Sequence, residues 1–269
     1  PYIKAVLKEW ELYCNLFDEK PIIKEIHLGG GTPTFFSPEN LKTLIEGITK
    51  ESIITDDHEF SFEGHPNNTS REHLQTLYDL GFRRLSLGVQ DFDPVVQEVI
   101  SRIQPLEMVE EVVNNARKIG YESVNFDLIY GLPLQTEKSV IGTIEKVKTL
   151  KPDRIAFYSY AHVPWDKKMQ RKFTEADLPK AEQKRNLYEI GKKLFFEAGY
   201  LEVGMDHFAL PKDPLFIAIE AGTLHRNFMG YTANSTRLLV GLGVSSISDS
   251  WTCFAQNSKS ISEYKRMIS

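Results

Sequence analysis

Three consecutive glycines, Gly29, Gly30 and Gly31, sit in the stretch HLGGGTPTFF, followed by Thr32 and Pro33. Glycine loses the most backbone entropy on ordering, so a triplet needs a local reason. No G-K-[ST] follows, which argues against a P-loop, and the spacing is not G-x-G-x-x-G. What remains is either a glycine turn leaving a strand or a backbone ledge that meets a charged ligand edge-on with no Cβ in the way. Two carboxylates follow short alternating stretches, Glu63 after FSF and Asp127 after VNF. Each could bind an ammonium group, take up ribose hydroxyls, hold a metal, act as a general base, or simply pair with a neighbouring strand's cation. Gln90 ends another such stretch, and Arg102 follows twelve positions later. Together they would offer forked donors to a carboxylate; alone, Arg102 is a solvated helix charge.

The C-terminal third carries His207 beside Asp206, and His225 beside Arg226. Neighbouring residues in one strand face opposite ways, so Asp206 and His207 cannot converge there. With no G-x-S-x-G, a Ser-His-Asp triad is unsupported. Satisfied, partly buried histidines are one reading, and a pocket for an anionic ligand is the other. Cys14 and Cys253 form no metal-spaced cluster and read as incidental thiols of a reducing cytoplasm.

The elements that must position these residues alternate. Strand patterns at 22–29, 58–64, 82–90, 121–131 and 152–161 each precede helical periodicity, at 37–50, 70–81, 93–120, 136–151 and 179–199. Ser37 and Ser70 are natural N-caps, Pro38 suits the first helical position, and Gly81 lies past a helix end. A first helix at 2–17 has no strand before it. Five strand–helix units imply a parallel sheet with right-handed crossovers, either doubly wound or a full or partial barrel. In both, the C-terminal ends of the strands gather ligands. Gly29–Thr32, Glu63, Gln90, Asp127 and Tyr160–His162 all fall at such ends, as one shared site would require. From residue 200 the rhythm shortens, with elements at 200–209, 224–232 and 238–248 that read as an extension covering one end of the sheet.

The chain has 269 residues and a net charge of −5, which argues against nucleic acid as a partner. No apolar run approaches the roughly 18 residues of a membrane span. The start at Pro1, inside an amphipathic segment, suggests a piece of a longer chain.

HLGGGTPTFFSPENL, FRRLSLGVQDFDPVVQEVISRIQ, VNFDLIYGLPLQT and GMDHFALP…LHRNFMGYT…GLGVSSIS together resemble the oxygen-independent coproporphyrinogen III oxidases, radical S-adenosylmethionine (SAM) enzymes of haem biosynthesis. The resemblance covers nearly the whole chain. It implies an α/β fold, a six-stranded partial (β/α) TIM-like barrel whose first strand is missing here. Residues 1–199 would form the barrel and 200–269 its extension within the same domain. It also implies that the family's C-x-x-x-C-x-x-C loop, which holds a [4Fe–4S] cluster, and a C-terminal helical region are absent. The chain as written would then bind no cluster and be inactive, while the longer parent would be an enzyme. Gly30, Gly31, Thr32, Glu63, Gln90, Arg102, Asp127 and Ala161 match the family's SAM-contact positions. His207, His225 and Arg226 are the expected contacts to a tetra-acid tetrapyrrole. The stretch FEGHPNN departs from the family pattern, which has an Asp-Pro-Arg after the Glu. The implied reaction uses a 5′-deoxyadenosyl radical to convert two propionates to vinyl groups, giving protoporphyrinogen IX, with an electron-donor protein as partner. Rival readings are a haem chaperone of the same group, a barrel lyase or isomerase using Glu63 and Asp127 as acid and base, and a chain that folds without activity.

Overall fold

The computed structural model describes residues 1–165, 168–250 and 252–269. The chain runs α1 (Tyr2–Cys14), β1 (Ile22–Leu28), α2 (Pro38–Lys50), β2 (Ile53–Gly64), α3 (Arg71–Asp79), β3 (Phe82–Gln90), α4 (Pro94–Val99), α5 (Leu106–Ile119), β4 (Ser123–Tyr130), α6 (Glu137–Leu150), β5 (Arg154–Ser159) and α7 (Ala181–Glu197). It continues with β6 (Leu201–Gly204), β7 (His207–Ala209), α8 (Pro214–Glu220), β8 (His225–Asn227), β9 (Gly230–Thr232), β10 (Ile247–Asp249), β11 (Phe254–Gln256) and α9 (Ile261–Ile268).

Local chemistry sets many of the helix ends. The hydroxyls of Ser37, Ser70 and Thr136 accept from the backbone N–H groups of Asn40, His73 and Ser139, and the Asp93 carboxylate caps α4. Gly120 ends α5 in the left-handed conformation. The first helix stops at Cys14, short of residue 17, and β2 begins at Ile53, five residues before the alternating pattern does. Its polar stretch TDD lies before the alternating pattern; pairing of Ile53 and Ile54 with Ile22 and Ile23 makes it strand, across a register shift.

The main sheet has seven strands in the order β1-β2-β3-β4-β5-β7-β6. β1 to β5 are mutually parallel, and β7 is antiparallel to both β5 and β6. So the sheet does not end with the fifth strand–helix unit. The stretch at 200–209, expected as part of a covering extension, is a hairpin built into the sheet itself. Its turn holds Asp206, and Met205 there has φ 47°. Asp206 therefore lies outside the strand, and face alternation does not separate it from His207.

One side of the sheet is apolar. Phe60, Phe62, Leu85, Leu87, Phe126, Leu128, Ile155, Phe157 and Phe208 are buried in a single core with Leu41 and Ile45 of α2, Leu74 and Leu77 of α3, Val109 and Val113 of α5, Ile144 of α6 and Phe195 of α7. The alternate residues of the same strands line a cavity, so the sheet curls around a polar hollow. Segments after β7 close it from the side. Hairpin β8–β9 lies over the hollow, and Gly243, Val244, Asn257 and Tyr264 fasten to the first helix. The fastener is Glu9 of α1, only 3% exposed, which accepts from the Gly243 N–H at 2.8 Å, the Asn257 amide at 2.6 Å and the Tyr264 hydroxyl at 2.6 Å. A Cβ at Gly243 would meet the Tyr2 hydroxyl at 2.6 Å, and that hydroxyl accepts from the Val244 N–H. Much of the GLGVSS stretch is thereby a structural staple. Among the described residues no helix is long and apolar enough to cross a membrane.

Candidate functional site

Parallel pairing puts the C-terminal ends of β1 to β4 on one rim, where the glycines, Glu63 and Gln90 lie. β1 delivers the glycines. Gly29, Gly30 and Gly31 are exposed, and the last two have φ of 78° and 142° with open space where a Cβ would project. A side chain there would be strained and would cover the ledge. Gly29 has a steric reason of its own, because a Cβ would lie 2.7 Å from His27 Nε2 and 3.0 Å from Glu63 Oε1. Those two side chains face each other at 3.4 Å, and His27 Nδ1 bonds the Ser61 hydroxyl at 2.9 Å.

β3 and the loop after α4 bring Gln90 and Arg102 together. The expectation of Arg102 on a helix is corrected: α4 ends at Val99, and Ser101 turns the chain with φ 57°. Arg102 Nη2 donates to the Gly88 carbonyl at 2.7 Å. A Cβ on Gly88 would sit 2.7 Å from Arg102 Nη2 and 2.9 Å from Gln90 Nε2, so the missing side chain is what lets both donors occupy one spot. Gln90 itself is held at φ 69°, past an irregularity in the β3–β4 pairing. For a non-glycine residue that conformation carries strain.

A buried polar brace, invisible to sequence reading, supports this corner. Gln104 Nε2 donates to the carbonyls of Gly88 and Val89, and Gln97 grips both the N–H and the C=O of Gln104. Asp91, 1% exposed, accepts from Thr143 Oγ1 at 2.7 Å, Gln135 Nε2 at 2.6 Å and the Asp93 N–H at 2.6 Å. Gln135 in turn accepts from the Gly131 and Leu132 N–H groups. The QDFDP and GLPLQT stretches thus lock the exits of β3 and β4 to each other.

Asp127 lies inside β4, three residues before its end, and not at the tip as the sequence suggested. It is opposite Gly88 on one side and Ala156 on the other, and the Ser86 hydroxyl donates to its carboxylate at 3.3 Å. Burial pushes its carboxyl up to about 6, with the Glu63 charge adding to the shift; Ser86, Arg102 and His27 pull the other way. Arg102 is drawn below its usual range by burial, against the attraction of Asp127.

Glu63, Asp127 and His207 all line one cavity of about 180 Å³. His207 on β7 faces Tyr158 across 3.4 Å and meets Tyr231 edge-on at 5.2 Å, and its Nδ1 is buried without a hydrogen-bond partner. Burial and then the Arg226 charge take it down to about 4, so at neutral pH it is an uncharged imidazole. Arg226 is exposed, with its guanidinium 5.6 Å from the Tyr231 ring centre. It does not line the cavity, and neither does its neighbour His225. Ala161, just beyond β5, is exposed at the same rim, where Lys184 Nζ donates to the adjacent Tyr160 carbonyl at 2.6 Å.

Among the lining residues not singled out from sequence are His27, Ser86, Asn125 and Tyr158. The signal for Ser86 and Asn125 was present, since LSLG and VNFD alternate apolar and polar residues. Deeper in the hollow, Arg84 pairs with Glu59 at 3.4 Å, and Arg154 Nε reaches both oxygens of Asp213 at 2.7 Å.

The donor set fits SAM in kind. The rim offers cationic and amide donors for a carboxylate, a carboxylate acceptor for hydroxyls, and bare backbone. It does not fit an iron–sulfur cluster, which takes several thiolates. Among the described residues there are two free cysteines, Cys14 partly buried on α1 and Cys253 exposed, and no cluster of three or more potential metal ligands.

Comparison with known proteins agrees with the architecture. The radical SAM superfamily pattern matches residues 6–147. An oxygen-independent coproporphyrinogen III oxidase of Helicobacter pylori is 44% identical over 268 residues, which cover 99% of this chain and 59% of that protein. Its counterpart in Pseudomonas aeruginosa is 41% identical over 270 residues, covering 100% and 59%. The solved structure of coproporphyrinogen III oxidase HemN from Escherichia coli, itself described as a radical SAM enzyme, superposes with a TM-score of 0.96 at 39% identity, over 99% of this chain and 61% of that one. The chain therefore spans about three fifths of the length of these relatives.

Proposed function

The chain belongs to the radical SAM superfamily, and from that premise we propose that it is the cofactor-binding half-barrel of an oxygen-independent coproporphyrinogen III oxidase acting in the cytoplasm. The observation that carries the reading is the meeting of Gln90 and Arg102 over Gly88, beside Asp127 and on the same rim as Glu63 and the glycine ledge. In this reading Arg102 and Gln90 bind the carboxylate of SAM, and Asp127 takes up ribose hydroxyls. Glu63 accepts from its cationic or hydroxyl groups, Gly30, Gly31 and Thr32 present backbone to its amino-acid end, and Ala161 offers backbone to the adenine. Bound SAM, given one electron by the reduced cluster of the full-length protein, would supply hydrogen-atom abstraction from a substrate propionate, and loss of carbon dioxide with transfer of one electron to an acceptor would leave a vinyl group. The chain's own part is to orient and to exclude water. His207, uncharged, gives the tetrapyrrole a hydrogen bond, and Arg226, with His225 beside it on the hairpin, gives its carboxylates a cation. An electron-donor protein is the expected partner.

The test is anaerobic assay of the full-length, iron–sulfur-reconstituted protein with SAM and coproporphyrinogen III. Decarboxylation should occur, and Arg102→Ala should weaken SAM binding by about ten- to a hundredfold, the range for a hydrogen bond to a charged group. Tight haem binding without decarboxylation would make the protein a carrier instead.

A further inference from the structure

Gln170 lies in a single 3₁₀ turn, Lys168–Lys172, after the exit of β5. Its carboxamide makes two bonds to one stretch of backbone: Oε1 accepts from the Val163 N–H at 2.5 Å, and Nε2 donates to the Ala161 carbonyl at 3.1 Å. In extended backbone the C=O of one residue and the N–H of the residue two further on point the same way, so 161–163 offers an acceptor and a donor side by side. An amide satisfies both because it carries one of each. The edge of adenine has the same pattern, an exocyclic N–H donor beside a ring-nitrogen acceptor. The neighbouring chain is anchored independently of Gln170. Arg171 Nε donates to the Pro164 carbonyl at 2.8 Å, and Lys172 Nζ donates to the Ser101 hydroxyl at 2.7 Å, one residue from Arg102.

We propose that the Gln170 carboxamide is an internal stand-in for the adenine edge, which occupies the Ala161–Val163 backbone pair until a nucleoside displaces it. This rests on the reading above that Ala161 offers its backbone to adenine. The residue then sets both affinity and selectivity. A ligand gains this subsite only if its base reproduces the donor–acceptor pair that Gln170 gives up, so a base lacking the amino group has nothing to exchange. Occupancy by Gln170 also scales the apparent affinity by the fraction of molecules in which the pair is open.

The experiment uses the full-length protein and S-adenosylhomocysteine, which binds without being cleaved. Binding is titrated to the wild type, Gln170→Ala and Gln170→Glu, and hydrogen exchange of the Val163 amide is followed in each. Gln170→Ala should bind about tenfold more tightly, equivalent to about 1.4 kcal/mol. Gln170→Glu, which cannot donate to the Ala161 carbonyl, should also bind more tightly. The Val163 amide should exchange slowly in the unliganded wild type, quickly in unliganded Gln170→Ala, and slowly in both with ligand. Wild-type binding with equal or weaker binding by Gln170→Ala would make Gln170 a brace of the loop, overturning the proposal while leaving the site reading intact. Binding by none of the three proteins would overturn both.

Discussion

At the scale of single residues, Asp127 carries the sharpest conflict between stability and function. Its folded-state carboxyl titrates near 6, above the ordinary 3.8, so the fold holds its proton more tightly than the unfolded chain does. That advantage is fully present below about pH 4 and is lost as pH rises through about 6; above that, the charged, buried group weighs against folding. Asp127→Asn removes the penalty. Denaturation at pH 8 should show the variant more stable by ~3 kcal/mol, the equivalent of about two pKa units, with the gain vanishing near pH 4. The same variant should bind S-adenosylhomocysteine more weakly. A more stable protein that binds its ligand poorly is the signature of a group kept for its chemistry. Asp127 is legible in the sequence as a candidate but its depth is not, because a strand's end is set by pairing partners far along the chain. His207 is legible in the same way, but not its neutrality, which comes from burial under the hairpin and from Arg226.

At the scale of elements, the β3 exit depends on what Gly88 leaves out and on what the loop after α4 puts in. The FRRLSLGVQ pattern marked the strand correctly, and Gln90 was legible as its end. The turn that swings Arg102 back to the Gly88 carbonyl was not, since PVVQEVISRI keeps helical periodicity past Val99. The break is enforced by Gln97 and Gln104, whose mutual bonds are tertiary and leave no mark on local pattern. Gly88→Ala tests the arrangement. The added Cβ meets only the far ends of two flexible side chains, Arg102 and Gln90. They can swing aside, so stability should change by less than about 1 kcal/mol, within the range of substitutions that create no cavity or buried unpaired group. S-adenosylhomocysteine affinity should fall about tenfold, because the donors no longer share one position. Equal affinity by calorimetry would separate Gly88 from the binding arrangement.

At the scale of the molecule, one sheet serves two solvents. Its convex side is the core, and its concave side is a polar hollow, so adjacent residues on a strand have opposite jobs. Phe126→Ala, on the buried side, should cost about 3–5 kcal/mol in chemical denaturation. Ser86→Ala, facing the hollow, should cost about 1 kcal/mol, the net worth of one hydrogen bond. The alternation that predicts this difference was readable, as were the five parallel strands and the rim they share. The antiparallel addition of β7 was not, because a hairpin of four- and three-residue strands carries too little period to reveal its neighbours.

The Glu9 staple has a consequence in time. Its hydroxyl donor, Tyr264, comes 255 positions later in the chain. At synthesis rates of about 5–20 residues per second, Glu9 would leave the ribosome roughly 10 to 50 s before that partner exists. For that interval the first helix must keep a carboxylate in water, and its dry seat can form only once α9 has been made.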